Sequence, residues 1–385
     1  MIDRPFWVQR VQQAWQHAPI AWLAGVRRVG KTTLARAVAP GTARYLNCEL
    51  PETAAMVQDP VRFYRSSEQT TVIFDEIHYL TDPSRLLKIG ADEFPKLRLL
   101  ATGSSTLAAS RKFRDTLTGR KRLVHLAPVL VTELAQFGNI GLEKRLYHGG
   151  LPPALLAQEK DPGFFREWID SFFARDLQRL FGLRDIDKFT LLFEYLMRQS
   201  GGLLDITGAA RTVGMSRTTV QSHLRALQIT HAVSLVRPFF GGRQKEIVKM
   251  AKGYGFDTGF ISFCRGWNPL RQDDLGTLWE HVVLEFLAAQ LPDSPINYWR
   301  DRAGHEVDFV LPRNREEVDV LECKWSADAF EPASLAVFRQ AYPQGRNYVI
   351  CPLHEEGYTR ECRGLEVRFC SPQGWARLVL ASGPA

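Results

Sequence analysis

Ile20-Ala21-Trp22-Leu23-Ala24-Gly25-Val26-Arg27-Arg28-Val29-Gly30-Lys31-Thr32-Thr33 is the stretch on which the fold turns. Its first five residues are apolar and read as a buried strand. Gly25 to Thr32 then fit the pattern GxxxxGK[ST], and a helix is expected from Lys31. Each position has a physical reason. Glycine lets backbone N–H groups wrap a phosphate without a Cβ in the way. Lys31 brings a point charge to the β- and γ-phosphates, Thr32 offers a hydroxyl to Mg²⁺, and the helix turns its positive end toward the anion. The residues expected to bind nucleotide are therefore Gly25, Val26, Arg27, Arg28, Val29, Gly30, Lys31, Thr32 and Thr33, with ATP and Mg²⁺ as the implied cofactors.

Further strands are expected at Arg44–Asn47, Thr71–Phe74, Leu97–Ala101 and Leu123–Leu126, with helical patterns between them. Alternation of this kind predicts a parallel sheet covered on both faces. Asp75-Glu76 follow the third strand, at the edge where such sheets bind ligands. Asp75 is assigned to the Mg²⁺ shell and Glu76 to polarising the attacking water. Ser104, at the tip of the next strand, either senses the γ-phosphate or caps a helix. Arg120, after Gly119, is the arginine chosen to complete a charge clamp; solvated surface arginines are the plainer reading.

The 385 residues allow two or three domains, and 45% hydrophobic with 24% charged residues is the composition of a globular chain. No apolar run approaches the ~18 residues of a membrane span. Met1-Ile2-Asp3-Arg4-Pro5 does not lead into an apolar block, so no secretory leader is expected. Six cysteines without CxxC spacing suit reduced thiols in a cytoplasmic protein.

Residues from about 141 to 200 read as helices rich in Phe and Leu. A short helix at about 205–211, the turn Val213-Gly214-Met215, and Ser216 capping a helix from Arg217 have helix-turn-helix spacing. Strand-like segments at 232–236 and 246–250 flank Gly241-Gly242 as a β-wing would. Residues 205–252 carry eight Lys or Arg (211, 217, 225, 237, 243, 245, 249, 252) against two acids, which suits contact with duplex DNA; packing as an adaptor between domains is the alternative.

Near the C-terminus, Glu306–Leu311 and Val318–Trp325 alternate as strands. A hairpin centred on residue 315 sets Asp308 opposite Glu322, with Lys324 two residues on and on the same face. With Glu280 from an upstream helix, these residues form a set for metal-assisted phosphodiester hydrolysis. Asp308 and Glu322 would hold Mg²⁺, and Lys324 would ease formation of hydroxide. A charged cross-strand cluster without chemistry is the alternative.

These segments together resemble a group of prokaryotic AAA-type ATPases that join a P-loop domain to a winged helix and a C-terminal nuclease-like domain. The resemblance is carried by Gly25–Leu34, Val72–Glu76, Ala101–Ser105, Leu117–Arg120, Ser216–Val220, Lys252–Gly259, Glu280, Tyr298–Asp301, Glu306–Phe309 and Leu321–Lys324. It covers nearly the whole chain. Two segments depart from it: Val26 and Arg28 stand where the family often has proline and glutamine, and Lys252-Gly253-Tyr254-Gly255-Phe256-Asp257 lacks the usual aromatic pair. The resemblance implies an α/β fold of four parts: an AAA-type core (1–140), a helical lid (141–202), a winged helix (203–265) and a restriction-endonuclease-like domain (270–385). The expected activity is ATP hydrolysis coupled to DNA, with or without cleavage; an ATP-dependent regulator or adaptor is the alternative. A homo-oligomer, in which an arginine acts from a neighbouring copy, stays open beside an arginine acting in cis.

Overall fold

The computed structural model describes residues 2–103, 116–178, 181, 185–240, 250–314, 316–352 and 357–380. Its first sheet holds β1 (Ile20–Ala24), β2 (Ala43–Asn47), β3 (Thr71–Asp75), β4 (Arg98–Thr102) and β5 (Lys121–His125), all parallel, in the order β2-β3-β4-β1-β5. Alternate residues face opposite layers. Ala21, Leu23, Ile73 and Leu100 pack with helices Pro5–His17 and Lys31–Ala37. Ile20, Trp22, Val72, Phe74 and Leu99 pack with Phe63, Tyr64, Leu86 and Leu87 of the helices on the other face. Those helices, Pro60–Arg65 and Pro83–Glu93, start where Asp59 and Asp82 accept backbone N–H bonds and proline follows at the first position.

Helices Leu142–His148, Pro152–Leu156, Pro162–Phe172 and Ile186–Arg198 lie in the stretch where the Phe and Leu pattern predicts helices. Helix Ile206–Val213 ends at Gly214 (φ 64°), and Ser216 accepts from the Thr219 N–H at 3.0 Å to start helix Arg217–Ile229. Val220, Leu224 and Leu227 form its buried stripe, while Arg211, Arg217, Arg225 and Arg237 are exposed. β6 (Val233–Pro238) pairs antiparallel with β7 (Lys252–Gly255), and all but the last residue of the expected wing strand 246–250 lies outside the described residues. Gly241 to Lys249 lie outside the described residues.

These two strands join the C-terminal ones. The second sheet runs β12-β13-β11-β10-β9-β8-β6-β7, with β8 (Asn297–Arg300), β9 (Glu306–Pro312), β10 (Val318–Cys323), β11 (Asn347–Ile350), β12 (Tyr358–Cys362) and β13 (Leu365–Cys370). β6 pairs with β8 through Arg237 and Asn297. The sheet therefore crosses the boundary expected between 265 and 270. All six cysteines are buried free thiols. No helix among the described residues is long and apolar enough to cross a membrane.

Arg145 ties these parts together. It is fully buried and donates to Val129 O (2.6 Å), Thr258 Oγ1 (3.0 Å) and Glu285 Oε2 (2.5 Å). Burial lifts the Glu285 carboxyl to about 7, the Arg145 guanidinium offsetting part of the rise. A raised folded-state value means that this carboxyl's contribution to stability is full below its unfolded value of 4.5 and is lost as pH rises through 7. The unfolding free energy from urea titrations is expected to fall between about pH 4.5 and about pH 7, by up to ~1.4 kcal/mol per pH unit for one group, and Glu285→Gln to flatten that slope. An unchanged slope in the variant would remove Glu285 from the account.

Candidate functional site

The loop after β1 opens at the C-terminal edge of the first sheet. Gly25 has φ 153°, and a Cβ there would lie 2.6 Å from Leu126 O, so the chain can pass only without a side chain. Gly30 (φ 101°) stands directly before helix Lys31–Ala37. The Lys31 ammonium is held by Gly25 O (2.9 Å) and Val26 O (3.1 Å), and burial lowers its pKa. Two hollows flank it. One of about 300 Å³ is lined by Gly25 to Arg28, Lys31, Glu76 and His78 below, and by Phe172, Ala174, Arg175, Asp176 and Thr230 above. The other, about 450 Å³, is lined by Arg28, Gly30, Lys31, Thr32, Thr33 and Glu76.

Glu76 is thus in both walls, with φ 53° and its backbone N–H given to Thr102 Oγ1 at 2.9 Å. Burial pushes its carboxyl up, but His78 and Lys31 outweigh burial and the net shift is downward. Asp75 lines neither hollow. It is 3% exposed and accepts from Tyr45 OH (2.6 Å) and Thr102 Oγ1 (2.5 Å), so its carboxylate is fixed one layer behind Glu76.

The upper wall is tied to the loop by Arg27–Asp176 (3.4 Å) and Arg28–Glu167 (2.5 Å), and by Trp168 Nε1 donating to Arg27 O (3.1 Å). Beside it, His125 at the end of β5 stacks on His231 just after helix Arg217–Ile229, with ring centroids 3.8 Å apart. Burial, with Lys31 near, lowers His231 to about 4. Burial and His231 lower His125 as well, so both rings are neutral at neutral pH. No local pattern pointed to Arg175, Asp176, Thr230, Tyr45 or the histidine pair.

Ser104 lies outside the described residues. The placement of Arg120 corrects the expectation of a charge clamp at its own chain's loop. Its carbonyl accepts from Ile20 N, at the start of β1, while the loop leaves from the other end, about 16 Å away along five residues. Its guanidinium is held by Asp92 at 2.5 and 3.0 Å.

At the C-terminal hairpin, the ladder Val318↔Pro312 to Leu321↔Phe309 makes Asp308 and Glu322 the next facing pair. Asp308 Oδ2 accepts from Cys323 N at 2.8 Å. Lys324 Nζ lies 2.9 Å from Glu322 Oε2 and 3.6 Å from Asp308 Oδ2. Burial, and then the neighbouring Asp308, push the Glu322 carboxyl well above the usual carboxylate range. Its Oε1 is buried and has no hydrogen-bond partner. Glu280, on helix Gln272–Gln290, accepts from Tyr254 OH (2.5 Å) and Lys252 Nζ (3.1 Å). Lys252 is 3% exposed, which withdraws it from the basic surface counted in the sequence. Among the described residues no three His, Cys, Asp or Glu side chains already stand as a metal-holding group.

The family models divide the chain in three: an AAA domain matches residues 17–135, and two domains of unknown function match 139–271 (DUF8612) and 275–365 (DUF4143). Among solved structures, the chain is similar to the Walker-type ATPase PABY2304 of Pyrococcus abyssi, at 17% identity over 69% of this chain and 96% of that one, with a TM-score of 0.45. RuvB of Thermotoga maritima is similar at 16% identity over 61% and 90%, with a TM-score of 0.31. Two curated relatives, the uncharacterized proteins Rv2008c of Mycobacterium tuberculosis and Mb2031c of Mycobacterium bovis, are each 30% identical over 321 residues, 81% of this chain and 71% of theirs. The chain carries an AAA domain and belongs to the family of these two mycobacterial proteins.

Proposed function

We propose that this chain is a Mg²⁺-dependent ATPase that works on duplex DNA. The observation that carries the ATPase reading is the hollow at Lys31, with a loop that excludes a Cβ at Gly25 on one side and Glu76 in both walls. That donor set suits a triphosphate: the backbone of Gly25 to Thr33 wraps the phosphates and Lys31 counters their charge. Mg²⁺, when bound, neutralises the phosphate oxygens; Thr32 would hold it, with Asp75 fixed behind. Glu76, kept ionised beside Lys31, orients the attacking water. The test is ATP turnover by Lys31→Ala, which is expected to fall steeply while the fold is kept.

In this reading the helices from Ile206 to Ile229 and the ribbon after them are a winged helix. The exposed Arg211, Arg217, Arg225 and Arg237 support contact with DNA phosphates. Arg217→Ala is expected to weaken duplex binding about equally across sequences and to reduce the salt slope by about 1. Binding by fluorescence anisotropy at several salt concentrations reads both; an unchanged slope argues for packing between parts of the chain instead.

We further propose that Asp308, Glu322, Lys324 and Glu280 form a metal-assisted phosphodiester-cleaving centre of restriction-endonuclease-like type. The unpartnered Glu322 oxygen between Asp308 and Lys324 supports a cation there. Plasmid nicking with Mn²⁺ or Mg²⁺ is expected for the wild type and is expected to be lost in Asp308→Ala. A second reading, an ATP-dependent regulator or adaptor that cuts nothing, is favoured by the Lys252 salt bridge and the Tyr254 hydrogen bond that occupy Glu280. A protein that hydrolyses ATP and binds DNA yet never nicks belongs to that reading.

A further inference from the structure

The segment Lys252–Asp257 is singled out by the sequence, and two of its side chains reach the C-terminal carboxylates. In β7 the side chains of Lys252 and Tyr254, two residues apart, share one face. Both end on Glu280 Oε1. Lys252 Nζ also lies 2.5 Å from Glu306 Oε1, whose other oxygen takes Arg300 Nη1 at 3.1 Å. Glu280, Glu306, Asp308 and Glu322 therefore stand with three cations: Lys252, Lys324 and Arg300. With all four carboxylates ionised, as they would be around a bound cation, taking Lys252 away leaves a deficit of two charges, that of one divalent ion. The Glu322 Oε1 atom, in a residue 5% exposed, is unpartnered at the same centre.

We propose that the Lys252 ammonium is a displaceable internal cation that keeps Glu280 from a divalent ion held by Asp308 and Glu322. This rests on the reading of those two residues as metal-holding carboxylates. The physical reason is competition: a carboxylate oxygen already given to an ammonium and a phenol is a poor ligand until one of them leaves. A lysine suits the part. Its charge sits on a flexible four-carbon stem and is not locked in a bidentate fork as an arginine's would be. β7 is also the strand paired with β6, directly after helix Arg217–Ile229. The piece of chain proposed to contact DNA thus carries the cation that blocks the centre.

The test is Mn²⁺ binding to the full-length chain without nucleotide, followed by electron paramagnetic resonance. K252M alone leaves buried carboxylates unbalanced and could fail to fold, so the decisive variant is K252M/E306Q, which removes one charge of each sign. The expected result is affinity for Mn²⁺ at least about tenfold above wild type, returned to the wild-type value by adding E280Q. Equal affinity in wild type and K252M/E306Q, lost in both with D308N, overturns the proposal and leaves the metal centre standing. Absence of Mn²⁺ binding in every variant overturns both.

Discussion

Lys31→Ala is expected to lower ATP turnover by about 10²–10³-fold, the usual cost of removing one charge donor aimed at a transition state. The structure gives the reason locally. Lys31 is the first residue of its helix, and its ammonium is drawn into the loop by Gly25 O and Val26 O. It lies within electrostatic reach of Glu76, Asp176 and Arg27, so its loss removes the charge against which the rest of the site is balanced. Phosphate release under saturating ATP measures the effect, with circular dichroism and a melting curve to show that the variant folds. Undiminished turnover in a folded Lys31→Ala protein would falsify the P-loop assignment.

Arg145→Ala is expected to have the largest effect on stability, a loss of about 3–5 kcal/mol. The side chain is fully buried, and its removal takes the guanidinium from Val129 O and the Glu285 carboxylate, while Thr258 Oγ1 keeps its bond to the Arg145 carbonyl. Val129 is fully buried and the Glu285 side chain is 10% exposed, so water replaces little of what is lost. Urea unfolding reads the change as a shift of the first transition. The double variant Arg145→Ala/Glu285→Gln should recover part of the loss, because it no longer leaves a carboxylate alone. A shift below about 1 kcal/mol in the single variant would mean that water or a neighbour replaces the guanidinium.

The first sheet and its loop were legible because their signals are local. An apolar strand, a glycine loop and a helix start lie within Ile20–Thr33, and an acidic pair closes β3. The Asp308–Glu322 pairing was legible for another reason. Side chains alternate with a period of two, so one turn position fixes the register of the whole hairpin. What was not legible comes from distance along the chain. Asp176 and Thr230 reach the Lys31 hollow from 145 and 199 residues downstream, and no periodicity marks them. Arg120 suited a clamp by residue type, but it precedes β5, which runs parallel to β1, and so stands at the N-terminal edge, away from its own chain's loop. Lys252 read as part of a basic surface because charge counts do not see burial. Its acidic neighbours at Glu280 and Glu306 lie 28 and 54 positions away.

The continuity of the second sheet across β6 and β8 bears on how this protein can be taken apart. A fragment beginning near residue 270 would leave β8 without its neighbour at Arg237 and Pro238, baring a strand edge able to recruit other chains. A fragment ending there would keep β6 and β7 on their helices but bare the edge of β6 that β8 covers. Recombinant halves made at the seam between the two matched domains of unknown function should precipitate or bind each other. Co-expressed, they should restore the sheet as a non-covalent pair, so that the boundary drawn by sequence similarity is a seam in the chain and not in the folded body.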